Sequence, residues 1–364
     1  MKKLMAVLLS LVLILGVPFA CSAEESTEAA GQYGKKVCFL VNGNLGDKGF
    51  YDSCAEGVER LGSKYGCDVK IVEMGRDETA YETYFREAAE SGYDMVVCCT
   101  WSVTDVVNEV APDYPDVNFL FLDSTSDADN VTCVSYKSYE TGFMAGALAA
   151  KKVNEGGGLI EDGNKTVGFI GSMDSSGIND FLVGYIEGIQ YVDEEIKVIT
   201  AYVGSFEDIA TCKEMTTALY QQGAQIVYAP ASQSITGAVE ASAENDKYII
   251  GCDSDIYTST VDTDPDLVKN VLSTSMKRMG DSVVWACTGL WDGELTFGEN
   301  YTVGPKEGTV GLADNANYQE LVSEQTRAEL DEIAQKVIDG EITIDSAYEM
   351  EEADVAALRE SVAP

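Results

Sequence analysis

The chain of 364 residues contains no histidine. That removes Ser-His-Asp and Cys-His catalysis, His-ligated zinc and haem, and most proton shuttling near neutral pH. Basic residues are scarce: 24 Lys and Arg stand against 62 Asp and Glu, a formal charge of −38. Such a field excludes wrapped nucleic acid, whose phosphates need clustered Lys and Arg. It also excludes docking to an anionic membrane through a basic face. An enzyme built from carboxylates, Lys, Tyr or Cys stays open. With 45% hydrophobic residues and only 7 prolines the composition is globular. The length suits two domains of roughly 100–200 residues each.

Met1-Lys2-Lys3 is a short basic start, and Leu4 to Ala20 carries no charge. That run is short for a spanning helix and reads as a secretory signal over residues 1–20. It ends Val17-Pro18-Phe19-Ala20-Cys21. A cysteine after a small residue there resembles a bacterial lipoprotein signal, in which Cys21 is lipidated and becomes the new N-terminus. The other reading is ordinary cleavage after Ala23, which frees a secreted or periplasmic protein. Residues 21–35 are small, polar and acidic, as a flexible tether requires. Either way the mature protein is expected outside the cytoplasm.

Ten cysteines in an exported chain would ordinarily suggest disulfides. Here Cys38, Cys98, Cys99 and Cys252 sit inside apolar, strand-like runs, and no C-x-x-C spacing occurs. They read as reduced core thiols, behaving as small hydrophobes.

Short apolar runs alternate with amphipathic stretches at nearly even intervals. The first series falls at 36–41, 68–73, 94–99 and 118–123, and the second at 166–170, 197–203, 224–228 and 247–251. Stretches such as 51–65 and 209–222 between them space their apolar residues as helices do. Strands alternating with helices mean βαβ units and parallel sheets covered on both faces. Two series predict an α/β protein with two doubly wound parallel-sheet lobes. Residues 131–155 read as a crossing strand followed by a long helix, and 268–274 and 309–312 as further crossings. The expected layout is lobe 1 at 36–135 plus about 275–310, lobe 2 at 136–274 plus about 311–345, and a C-terminal tail at 346–364. Lobes joined by several hinge crossings should close on a ligand.

Ligands in open α/β sheets bind at the carboxyl ends of strands, so the residues there carry the function. After the first run comes Asn42-Gly43-Asn44-Leu45-Gly46-Asp47-Lys48-Gly49-Phe50-Tyr51-Asp52, which lacks the G-x-G-x-x-G of a dinucleotide loop. Phe50 by itself also suits a buried helix-start residue. Gly163-Asn164-Lys165-Thr166 fails as a phosphate loop, because it precedes a strand. Asp253, Asp255, Asp262, Asp264 and Asp266 lack the turn glycine and terminal glutamate of a calcium loop and read as a solvated acidic loop. Trp101, after the third run, is bulky and close to the expected cleft, with packing on the lobe face as its other reading. No metal and no cofactor is expected.

Several motifs then occur in a telling order. They are Gly46-Asp47-Lys48-Gly49-Phe50-Tyr51-Asp52-Ser53, Phe143-Met144-Ala145-Gly146, Val167-Gly168-Phe169-Ile170-Gly171-Ser172-Met173-Asp174, Tyr202-Val203-Gly204-Ser205-Phe206-Glu207-Asp208 and Ile250-Gly251-Cys252-Asp253-Ser254-Asp255. With Phe181, Gly184, Tyr185, Gly188, Ser273, Lys277 and Arg278, they resemble the basic membrane protein family over residues 36–344. These are substrate-binding lipoproteins of ABC importers, best known for purine nucleosides, with the type I periplasmic-binding-protein fold. The resemblance implies a base stacked between Phe50 and Phe206, with Phe181 the lesser candidate for the second ring. It implies base contacts from Asp123 and Asn42, and a ribose grip by Asp253 and Lys277. Departures are Tyr51 where Asn is usual, Asn42 where Asp is common, and Ala229-Pro230-Ala231-Ser232-Gln233 in place of a glycine-rich turn. Side chains at Ala231 and Ser232 would occupy space that glycine leaves to a ligand.

The expected function is extracytoplasmic binding of a purine nucleoside for an ABC permease, by a monomer without catalytic activity. A sugar- or polyol-binding protein and a ligand-presenting receptor module are alternatives on the same fold. A carboxylate-based nucleoside hydrolase is the alternative of another class.

Overall fold

A computed structural model describes residues 32–46 and 49–364. The signal segment 1–20, Cys21 and most of the 21–35 tether lie outside the described residues, as do Asp47 and Lys48 of the first motif.

Among the described residues, twelve strands form two six-stranded sheets. The first contains β1 (Lys36–Val41), β2 (Asp68–Glu73), β3 (Met95–Cys99), β4 (Asn118–Leu122) and β5 (Val131–Tyr136). The second contains β6 (Thr166–Gly171), β7 (Lys197–Tyr202), β8 (Ile226–Tyr228), β9 (Tyr248–Asp253) and β10 (Val271–Lys277). The chain then returns to add β11 (Asn300–Val303) beside β5, and crosses again to add β12 (Val310–Leu312) beside β10. The orders are β11-β5-β4-β3-β1-β2 and β12-β10-β9-β8-β6-β7. Every pairing is parallel except β10 with β12. Two doubly wound lobes with three crossings result, in the expected architecture.

Parallel strands buried on both faces need continuous apolar sequence, and MVVCC of β3 is buried throughout. All nine described cysteines are free and buried. Cys38, Cys98 and Cys133 pack under the helices on one face of the first sheet, while Cys54, Cys99 and Cys287 fill the other.

β5, β10 and β12, read from the sequence as crossings, are also paired members of the sheets. Residues 346–364, expected as a tail, include the helix Glu352–Ser361 laid on the second lobe. Val355 is buried with Val183 and Ala347, and the Val198 N–H of β7 donates to Val362 O at 2.8 Å.

Candidate ligand-binding cleft

The carboxyl ends of both sheets carry unusual backbone. Among the described residues, five non-glycine residues have positive φ: Thr100 at 73°, Asp123 at 60°, Ser232 at 53°, Asp246 at 48° and Asp253 at 69°. Asp246 ends a helix away from the cleft. The other four follow or end β3, β4, β8 and β9. Strained backbone held by its surroundings concentrates at functional sites. Thr100 is the extreme case, a β-branched residue at φ 73° and ψ 145°. Its N–H donates to Leu122 O at 2.9 Å, and its Oγ accepts from Asn42 Nδ2 at 2.7 Å.

Asn42 is buried after β1, and its amide also donates to Ser102 Oγ at 2.8 Å. Both of those contacts hold the lobe's own wall. The Tyr51 hydroxyl donates to Asn42 O at 3.2 Å, so the larger side chain that departs from the family pattern braces the same wall. Phe50 opens the helix Phe50–Tyr65, half-buried, with its ring edge-on to Tyr51 at 5.7 Å. Trp101 is 70% exposed, which sets aside packing on the lobe face.

Asp123 and Lys277 meet across the lobes. Lys277, at the end of β10, is 9% exposed and donates to Asp123 Oδ1 at 3.0 Å. Its ammonium lies 5.3 Å from the Tyr136 ring centroid and 5.5 Å from that of Phe181. Burial alone would lower its pKa, but the Asp123 and Asp253 carboxylates outweigh burial and raise it. The lysine is therefore fixed as a cation. Asp253 ends β9 and accepts weakly from Cys252 Sγ at 3.6 Å.

Phe206, after β7, is 39% exposed. Phe181 is instead buried on the helix Ser176–Val192, edge-on to Tyr228 at 6.4 Å. Its ring faces the core and the lysine. Ser232 is exposed in a left-handed conformation, so the chain keeps a glycine-like turn without the glycine. Asp255 and Asp264 cap short helices by accepting from the backbone N–H of Thr258 and Leu267. That is a local structural role for two of the acidic-loop residues.

Sequence reasoning missed Thr100 and Ser102, whose polarity after an apolar run was the available signal. It also missed an ion pair between Arg76 of the first lobe and Glu207 of the second. Both partners are more than half exposed, so the pair adds at most about 1 kcal/mol to closure.

Two carboxyls on the helix Ser176–Val192 titrate high. Burial pushes Asp180 up to about 6, against hydrogen bonds from Ser346, Ala347 and Tyr139. Burial likewise pushes Glu187 up to about 7. Both hold protons more tightly folded than unfolded, so their effect is harmless in acid and costs stability as pH rises through about 4 to 7. Asp94, held low by the Lys36 N–H, and Asp193, held low by Lys165, give the opposite slope in stronger acid. The melting temperature should peak at about pH 4 and fall by several degrees toward about pH 7, and Glu187→Gln should flatten that fall. A melting temperature rising steadily over that range would contradict the assignment.

Two lobes hinged by three crossings, with aromatic, acidic and cationic side chains at facing strand ends, define a solute-binding clamp. The chain belongs to the family described as ABC transporter substrate-binding protein PnrA-like, whose model matches residues 34–346. It is 31% identical over 346 residues to the ABC transporter nucleoside-binding protein BmpA of Lactococcus lactis subsp. cremoris, spanning 88% of this chain and 93% of that one. It is 26% identical over 351 residues to basic membrane protein A of Borreliella burgdorferi, spanning 94% and 96%. A crystal structure of an ABC transporter solute-binding protein from Aeropyrum pernix K1 matches with a TM-score of 0.73 at 23% identity, over 90% of this chain and 99% of that one. At that identity the likeness is one of fold. Proteins of this family bind a small molecule outside the cytoplasm and work with a membrane permease; they are not enzymes. Among the described residues no helix is long and apolar enough to cross a membrane.

Proposed function

We propose that this protein captures a purine nucleoside between its lobes and delivers it to an ABC permease. The observation that carries the reading is the Lys277–Asp123 pair bridging the lobes at 3.0 Å, with the charge of Asp253 acting on the same lysine. A carboxylate accepts from two vicinal hydroxyls and a lysine supplies the complementary donor, which suits a ribose. Asp123 suits a ring nitrogen or amine. Phe50 from one lobe and the exposed Phe206 from the other suit the two faces of a flat base. The nucleoside-binding name of the Lactococcus relative supports the same class. Nucleotides are disfavoured, because a chain of charge −38 with one lysine at the site among the described residues has little to neutralise phosphate.

The protein acts as a monomer anchored through a lipid on Cys21, and the intact mass of the native protein tests the anchor. An unmodified chain starting at Glu24 would remove it and leave the binding assignment standing. Calorimetry with nucleosides, deoxynucleosides, free bases and sugars tests the ligand. Nucleosides should bind tightest, and free bases at least about tenfold more weakly, because they bring no ribose hydroxyls to the Asp253 carboxylate and the Lys277 ammonium. Tight binding of sugars with none of nucleosides would overturn the reading. Release of free base on incubation would overturn the transport role.

A further inference from the structure

We propose that Tyr348 is a ligand-contacting residue, a third ring held over the cleft entrance by a C-terminal strap. The inference rests on the nucleoside reading above and adds a residue to that site. Tyr348 stands two residues beyond the stretch that matches the family model.

The strap is firmly held. The Asp345 N–H donates to Glu187 Oε2 at 3.2 Å, and Ser346 Oγ and the Ala347 N–H donate to Asp180 Oδ1 at 2.7 and 3.0 Å. Asp180 Oδ2 also accepts from the Tyr139 N–H at 3.0 Å, tying the strap to the start of the helix Ser138–Glu155 that follows the first crossing. Beyond Tyr348, Arg359 reaches Asp174 and the Tyr202 hydroxyl at the carboxyl ends of β6 and β7. A segment pinned on both sides places the residue between its anchors reproducibly.

Yet Tyr348 itself is 69% exposed. Its hydroxyl lies 3.1 Å from where a Cβ on Gly177 would stand, just past the carboxyl end of β6. Its neighbour Ala347 is bound to Asp180, and the next residue along the helix Ser176–Val192, Phe181, holds its ring 5.5 Å from the Lys277 ammonium of the interlobe pair. A large aromatic anchored on that side of the cleft, and left open to solvent, offers its face to whatever the cleft holds.

The test is titration of wild type, Tyr348→Phe and Tyr348→Ala with adenosine, guanosine and inosine, with dissociation rates by stopped flow. The alanine variant should bind about tenfold or more weakly, mainly through faster release, as loss of a ring contact at an entrance predicts. The phenylalanine variant should stay within about twofold, because the ring makes the contact. Melting temperatures should be unchanged in both, since the side chain is exposed. Wild-type affinity in Tyr348→Ala overturns this inference and leaves the nucleoside reading intact. Lowered melting temperature together with weakened binding makes Tyr348 structural and also overturns it. Wild type that binds no nucleoside overturns the nucleoside reading, and this inference with it.

Discussion

Lys277→Met should fold and lose nucleoside binding by at least about a hundredfold, the usual scale for truncating one partner of a buried charged pair. Methionine keeps most of the volume and apolar length of lysine, and its thioether suits the Tyr136 and Phe181 rings that flank the site. What disappears is the one positive charge that Asp123 of the first lobe and Asp253 of the second share. Without it, closing the lobes leaves the two carboxylates with no shared cation, and their repulsion opposes the closed state. Lys277→Arg should recover part of the binding, because it restores the charge with different geometry. Calorimetry on the three proteins, with melting temperatures beside it, checks this. Affinity within about threefold of wild type in Lys277→Met would show that the interlobe pair does not serve the ligand.

The sheets were legible because parallel strands demand uninterrupted apolar runs, and all eight runs read from the sequence fall on strands. The strand β11 was not legible. NYTV alternates exposed and half-buried residues at a sheet edge, and only Val303 is buried. The terminal helix Glu352–Ser361 was hidden for a related reason, since only Val355 is buried along it. Phe50 and Phe206 were both visible through motifs. Whether Phe181 faced the cleft depended on helical phase, which one aromatic among many apolar neighbours does not report. Lys277 in isolation looked like a surface lysine beside Arg278, because burial of a cation depends on carboxylates distant in sequence. The positive φ of Thr100 and Ser232 had no signal, since neither residue type advertises that conformation. Tyr348 had none either: it lies in a polar stretch, and hydrogen bonds to Asp180 and Glu187 fix its neighbours there.

Gly184→Val should collapse the second lobe. The helices Ser138–Glu155 and Ser176–Val192 cross so closely that a Cβ on Gly184 would lie 2.0 Å from Tyr139 O. Gly188 would meet Phe143 O at 2.1 Å, Gly146 would meet Tyr185 O at 2.1 Å, and Gly142 would meet Phe181 O at 2.4 Å. Each obstacle is backbone, so no rotamer change relieves it, and the helices must separate. Separation would forfeit buried contacts of Phe143, Leu148, Tyr185 and Ile189 in the same core. The expected loss is about 3 kcal/mol or more, at the upper end for overpacking. In a chain of 364 residues that lowers the melting temperature by about 4 °C or more, or leaves the protein insoluble. Binding should fall as well, because Asp180 and Phe181 ride on the displaced helix beside Lys277. Thermal unfolding of Gly184→Ala and Gly184→Val should rank with side-chain size. A melting temperature within about 2 °C of wild type for the valine variant would mean that the crossing tolerates separation.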